Sequence, residues 1–208
     1  MRGAELVGAL CRCADSLFNT TTTPDSASLA LDAASILARS ARDGADGEPN
    51  DVVMAASRAH MAGNNSNLGL AHCLAVALET ELDISHDLAI GVLMPRVIRF
   101  NAPIAGDMMK RLAMALAVDP GDHDPEQIAI GIEAALFDLY DKTGVPRYFD
   151  PEDFDPNLIP NMAMAAGRGL YGEGYLETPP TRQTLIPSPN RRRATIREGE
   201  ELFEQCFA

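Results

Sequence analysis

The chain has 208 residues, 46% of them hydrophobic and only 5% aromatic, with a formal net charge of −13 and a pI near 4.6. That apolar fraction excludes a disordered chain. The acidity repels phosphate backbones and anionic lipid, so neither nucleic-acid nor membrane-surface partners are expected.

An Ala-, Leu- and Met-rich chain without tryptophan favours helix over strand. Residues 4–18 read as an opening helix. The run Thr20–Thr23 followed by Pro24, Asp25 and Ser26 reads as a break and a helix N-cap, after which Leu29, Ala33, Ile36 and Leu37 form an apolar stripe. Residues 43–50 read as a loop, and a third helix is predicted from Asp51 to Ala62, ended by Gly63–Asn67. A helix from about Leu68 to Thr80 and another after Ser85 follow, the second kinked or disrupted at Pro95. Ile104, Met108, Leu112 and Leu116 define the next helix. Ile128, Ile132, Leu136 and Tyr140 define one capped by Asp124 with Pro125 in its first position. Beyond Gly144 the chain is rich in Pro, Gly and Asp, with short helices expected near 156–166 and 196–206. The expectation is an all-α bundle of seven to nine helices forming one domain over residues 1–208.

No stretch reaches the roughly 20 apolar residues of a membrane span, and Glu5 interrupts any apolar signal core at the N-terminus. Cys11, Cys13, Cys73 and Cys206 show neither zinc nor redox spacing. A reduced, cytoplasmic protein is therefore expected.

His72 and His86 are the principal candidates for chemistry. On one continuous helix their fourteen-residue separation would place them about 21 Å apart, too far to share an ion. The segment Glu81–Ser85 reads as a break, however, and six extended residues span roughly 20 Å, enough for a loop to return His86 towards His72. Spacing alone favours an ordinary structural hydrogen bond for each. Gly167–Gly172 matches G-x-G-x-x-G but follows a helix and runs into Pro179 and Pro180, so it reads as a loop rather than a dinucleotide fingerprint. Arg191–Arg193 read as a solvated turn or partners for nearby Glu residues. His60, His123 and the acidic residues Asp150, Glu152, Asp153 and Asp155 read as unremarkable.

Several segments together resemble the helical C-terminal domain of the iron-containing (group III) alcohol dehydrogenases. Asn65–His72 is similar to that family's N-x-G-L-G-L-x-H. Ser85-His86-Asp87, with Leu93–Val97 and Arg99–Asn101, is similar to its P-H-G…L-L-P-H-V…R-F-N. Ser26–Ala33 is similar to T-D-A-L-A-L-E-A, and Asn190-Arg191-Arg192 with Thr195 to N-P-R…T.

The resemblance implies a helical domain from a lineage of alcohol and aldehyde oxidoreductases whose divalent iron or zinc is held by one Asp and three His. His72 and His86 match the last two ligands. The first two, in a D-A-L-T-H motif, match Gly8 and Arg12, and a further family histidine near the reacting groups matches Val76. The expected site is thus degenerate: His72 and His86 as the remaining metal ligands, with His72, His86 and Arg12 facing substrate. A permanently charged Arg12 opposes a metal ion; it either holds an anionic substrate group or points to solvent beside Asp15 or another carboxylate. The family's NAD(P)-binding domain has no counterpart in the chain, which is not expected to bind NAD(P) alone.

Three readings follow. The chain is a dehydrogenase half served by a Rossmann-domain subunit. Or it is a metal-free, non-redox descendant whose old cleft takes a small, anionic molecule. Or it is a structural subunit whose uncovered apolar face makes a homo-oligomer.

Overall fold

The first helix, α1 (Gly3–Leu17), is enclosed on almost every side: Leu6, Val7, Leu10, Cys11, Cys13, Ala14 and Leu17 are all buried. Around it pack α2 (Pro24–Arg42), α3 (Pro49–Ser66) and α5 (His86–Ala105). A central helix with small and medium apolar residues on all faces is what the Ala-rich opening segment encodes. The computed structural model describes residues 3–43, 49–67, 69–152, 155–168 and 180–207. The remaining elements among them are α4 (Leu70–Leu82), α6 (Asp107–Ala115), α7 (Pro125–Thr143), α8 (Ile159–Arg168), led by a 3-10 turn at Pro156–Leu158, and α9 (Ile196–Glu204). No strand occurs among the described residues, only three isolated bridges.

Caps set several boundaries. Thr23 and Ser26 form a reciprocal capping box with Pro24 in the first turn of α2, and Asp124 and Gln127 do the same for α7 around Pro125. Ser85 caps α5. Asp83, at φ 51°, ends α4 in the left-handed region, and the three-residue turn reverses the chain into His86.

Four boundaries differ from the sequence expectation. α3 does not stop at Ala62 but runs through Gly63, Asn64 and Asn65 to Ser66. Its last turn is held by tertiary bonds: the Ser66 carbonyl accepts from Asn19 Nδ2 and from Thr21 Oγ1 (2.5 Å). α3 also starts two residues before Asp51. Ile104 belongs to α5 and is 44% exposed, because Gly106 at φ 52° separates α5 from α6. Pro95 leaves α5 unbroken. The amide that proline lacks would have bonded the Gly91 carbonyl, and the buried Tyr140 hydroxyl of α7 donates to that carbonyl instead (2.6 Å).

α5 is also long and apolar enough to cross a membrane by length and composition, with a mean hydropathy of 1.3 over its window. No such segment was expected, yet 67% of that window is buried among the other helices, which makes it the core helix of the bundle. The Gly-rich match at 167–172 lies mostly outside the described residues; Gly167 itself sits in the last turn of α8. The Arg191–Arg193 turn follows the second of its two expected readings, as a partner for a nearby Glu, with added backbone and ring contacts. Arg191 Nε donates to the Asn19 carbonyl (3.2 Å), and Arg192 stacks on Phe100 (3.8 Å) and approaches Glu198 (3.7 Å).

Candidate functional site

Two turns of α1 set the floor of a cleft. Arg12 and Asp15 lie three residues apart on one face, opposite the start of α4, the end of α3 and the start of α5. The cleft encloses about 230 Å³ and is lined by Arg12, Asp15, His60, Asn64, His72 and His86, among others.

Asp15 is buried and builds one wall. The N-cap of α4 is Gly69, which has no side chain to offer the first amides of that helix. Asp15 does so from α1, accepting from the backbone N–H of Gly69 (2.9 Å), Ala71 (3.1 Å) and His72 (3.4 Å). A carboxylate at a helix N-terminus also meets the positive end of the helix dipole. Burial still outweighs these bonds and pushes the Asp15 carboxyl up to about 6. Gly69 must remain a glycine, since a β-carbon there would lie 2.6 Å from Asp15 Cγ.

The reversal at Asp83–Ser85 brings His86 back beside His72, the return that a break at Glu81–Ser85 allows. His72 Nδ1 and His86 Nε2 are 2.9 Å apart, with ring centroids 4.5 Å apart and the planes tilted by 55°. His86 Nδ1 lies 2.6 Å from Glu79 Oε2. The proton positions follow from this chain. An ionised Glu79 only accepts, so His86 Nδ1 carries a proton and donates. In the tautomer in which His86 accepts at Nε2, His72 Nδ1–H is the donor and His72 Nε2 keeps its lone pair; a proton added to His86 reverses that bond. Burial, then the neighbouring His86 and Arg12, push the His72 imidazole down to about 4, so it is neutral near pH 7.

Arg12 Nη2 donates to Asp87 Oδ1 at 2.5 Å, both side chains being about one-fifth exposed (20% and 22%). Asp87 reaches Arg12 because position 8, one turn earlier on α1, has no side chain. A β-carbon at Gly8 would lie 2.6 Å from Asp87 Cβ and Cγ. Of the alternatives for Arg12, a carboxylate partner is realised, and it is Asp87 rather than Asp15. His60 also lines the cleft, its imidazole pushed down by burial and by the Arg12 charge. Val76 is part-buried on α4.

The three residues expected to face substrate, Arg12, His72 and His86, therefore meet in one cleft. Sequence reasoning missed Glu79, Asp15 as a cap, the role of Asp87, and His60. Glu79 had a signal: it stands seven residues before His86 and the same interval after His72, so it shares the His72 face of α4 two turns on. Asp15 and Asp87 meet their partners only by packing across 54 and 75 residues of chain, and His60 is brought to the cleft by the packing of α3.

A resident zinc or iron ion needs three or four protein donors converging on one point. Among the described residues no group of three or more His, Cys, Asp or Glu side chains is placed to hold an ion. His72 and His86 point ring nitrogens at one another, the nearby carboxylates are committed to His86 and Arg12, and the adjacent fixed charge is cationic. Two neutral imidazoles beside a guanidinium do not fit a resident iron or zinc ion.

A family profile described as "Fe-containing alcohol dehydrogenase family, C-terminal" matches residues 4–176. Lactaldehyde reductase of Escherichia coli (strain K12) is 26% identical over 149 residues, covering 72% of this chain and 35% of the reductase. A methanol:N,N-dimethyl-4-nitrosoaniline oxidoreductase of a Mycobacterium species is 29% identical over 119 residues, covering 56% of this chain and 28% of that protein. The solved alcohol dehydrogenase from Oenococcus oeni superposes with a TM-score of 0.80 at 20% identity, covering 99% of this chain and 52% of that structure. The chain thus spans about half the length of that structure and matches about a third of the reductase.

Proposed function

The chain belongs to the iron-containing alcohol dehydrogenase family through its C-terminal helical domain, and on that premise we propose that it is the substrate half of an alcohol- and aldehyde-handling oxidoreductase that works without a resident metal. The observation that carries this reading is the hydrogen-bonded pair His86–His72 in the wall of a cleft that also holds Arg12, with Glu79 bonded to His86.

A substrate hydroxyl bonded to His72 Nε2 passes its proton to that nitrogen while the Nδ1 proton moves on to His86. The positive charge then rests beside Glu79. Run backwards, the chain delivers a proton to the alkoxide oxygen that hydride addition to a carbonyl would leave. Arg12, in the same wall, offers a fixed positive charge to an anionic group of the substrate. The described residues form no sheet and offer no dinucleotide fold, so no hydride step is assigned to them. A Rossmann-type domain or subunit would hold the nicotinamide nucleotide. A second reading, favoured by the fixed Arg12 cation, is a non-redox acid–base reaction on a small molecule in the same cleft.

The test measures metal in the protein purified without added metal or chelator, for the wild type and a His72→Ala, His86→Ala double variant. NMR of the histidine rings then follows titration with short alcohols and aldehydes. The expected result is sub-stoichiometric metal in both proteins, with His72 and His86 signals that move on titration. Near-stoichiometric iron or zinc that disappears in the double variant overturns the metal-free reading. Silent histidines overturn the substrate cleft.

A further inference from the structure

Arg12 is held on one edge only. Its single hydrogen bond among the described residues is from Nη2 to Asp87, whereas a guanidinium carries five N–H groups in a planar fork. Asp87 comes from the first turn of α5 and fills the space that Gly8 leaves on α1, so the pair is wedged between two core helices. An arginine fixed in this way loses little rotamer freedom when a second oxyanion docks on its open edge.

The rest of the cleft suits such a ligand. Asn64 and Asn67 bring amide groups, and His60 and His72 bring imidazoles. The one other carboxylate in the lining, Asp15, is turned onto the α4 amides. A volume of about 230 Å³ equals roughly eight water volumes, room for a short-chain acid and not for a nucleotide.

We propose that this cleft selects small substrates that carry a carboxylate, with Arg12 receiving the carboxylate and Asp87 acting as the residue that positions Arg12. The substrate class is then a short hydroxy acid or oxo acid. Its hydroxyl or carbonyl oxygen lies towards His72 while its carboxylate forks onto the guanidinium. This rests on the cleft being the substrate site, and it adds the chemical group by which substrate is chosen.

The test is a binding titration of the full chain by NMR, reading the Arg12 Nε–H and His72 ring signals. The probes are glycolate, lactate and pyruvate against the neutral compounds of matching size, ethylene glycol, propane-1,2-diol and acetone. The acids are expected to bind about tenfold or more tightly than their neutral counterparts, as a charge-assisted bidentate contact allows. Arg12→Gln removes that preference. Arg12→Lys, which keeps the ion pair with Asp87 and so guards against a folding artefact, retains a reduced preference. Asp87→Asn weakens acid binding while leaving the neutral probes unchanged. Equal affinity for acids and neutral compounds, or an acid preference that survives in Arg12→Gln, overturns the carboxylate assignment and leaves the substrate cleft standing. Failure of every probe overturns both.

Discussion

Gly8 and Asp87, on different helices, share one space: a β-carbon on the first would lie 2.6 Å from the β- and γ-carbons of the second. The wedge should show as non-additivity. Gly8→Ala in the wild type is expected to cost about 1–3 kcal/mol of stability, the range for overpacking a core. In an Asp87→Gly background the same change is expected to be neutral, or stabilising by up to about 1 kcal/mol through helix propensity. Denaturant unfolding of the four proteins measures the coupling, and equal costs in both backgrounds rule the wedge out.

Asp15 and His72 should titrate in reversed order. The Asp15 carboxyl is raised from 3.8 to about 6, so its contribution to stability is full below pH 3.8 and is lost as pH rises through 6. The His72 imidazole is lowered from 6.5 to about 4, so its contribution is full above pH 6.5 and is lost as pH falls through 4. The two oppose each other between pH 4 and 6. Relative to the wild type, Asp15→Asn is expected to gain stability with rising pH across that window, and His72→Gln to lose it. Stability profiles with the same slope in both variants refute the assignment.

All four thiols should be chemically silent in the native protein. Each is free and buried, and burial raises Cys11, Cys73 and Cys206 to about 12 and Cys13 further. At pH 8 the thiolate fraction is negligible. A colorimetric thiol assay should read close to zero in buffer and four equivalents in denaturant. One fast-reacting equivalent in buffer contradicts the packing around that residue.

Tyr140→Phe removes the donor that serves the Gly91 carbonyl. The expected loss is about 1–3 kcal/mol, the cost of leaving a buried acceptor unpaired. Thermal or urea unfolding checks it, and a change below about 0.5 kcal/mol means that the carbonyl has another partner.

Most helices were legible because their stripes and caps are local. Thr23 with Pro24, Asp124 with Pro125 and Ser85 announce α2, α7 and α5 before any packing is known. The failures lie where distant residues decide. Gly63, Asn64 and Asn65 look like a terminator, but Asn19 and Thr21 hold the end of α3. Ile104 fits an apolar stripe with Met108, but one glycine at positive φ assigns it to the other helix. At the site, His72, His86 and Arg12 could be found only by matching them to the family's ligand motifs. His60 and the cap made by Asp15 could not, because nothing local to either residue records the neighbour it meets.

The bond from Tyr140 to Gly91 has a consequence for how the molecule assembles. A peptide of α5 alone should break near Pro95, because no group within it can replace the missing amide. Its continuity is supplied by a residue 49 positions away. The helix that carries His86 and Asp87 at its start is therefore complete only once α7 has docked. Formation of the cleft is tied to the cooperative folding of the whole bundle, and the cleft does not arise as a local unit.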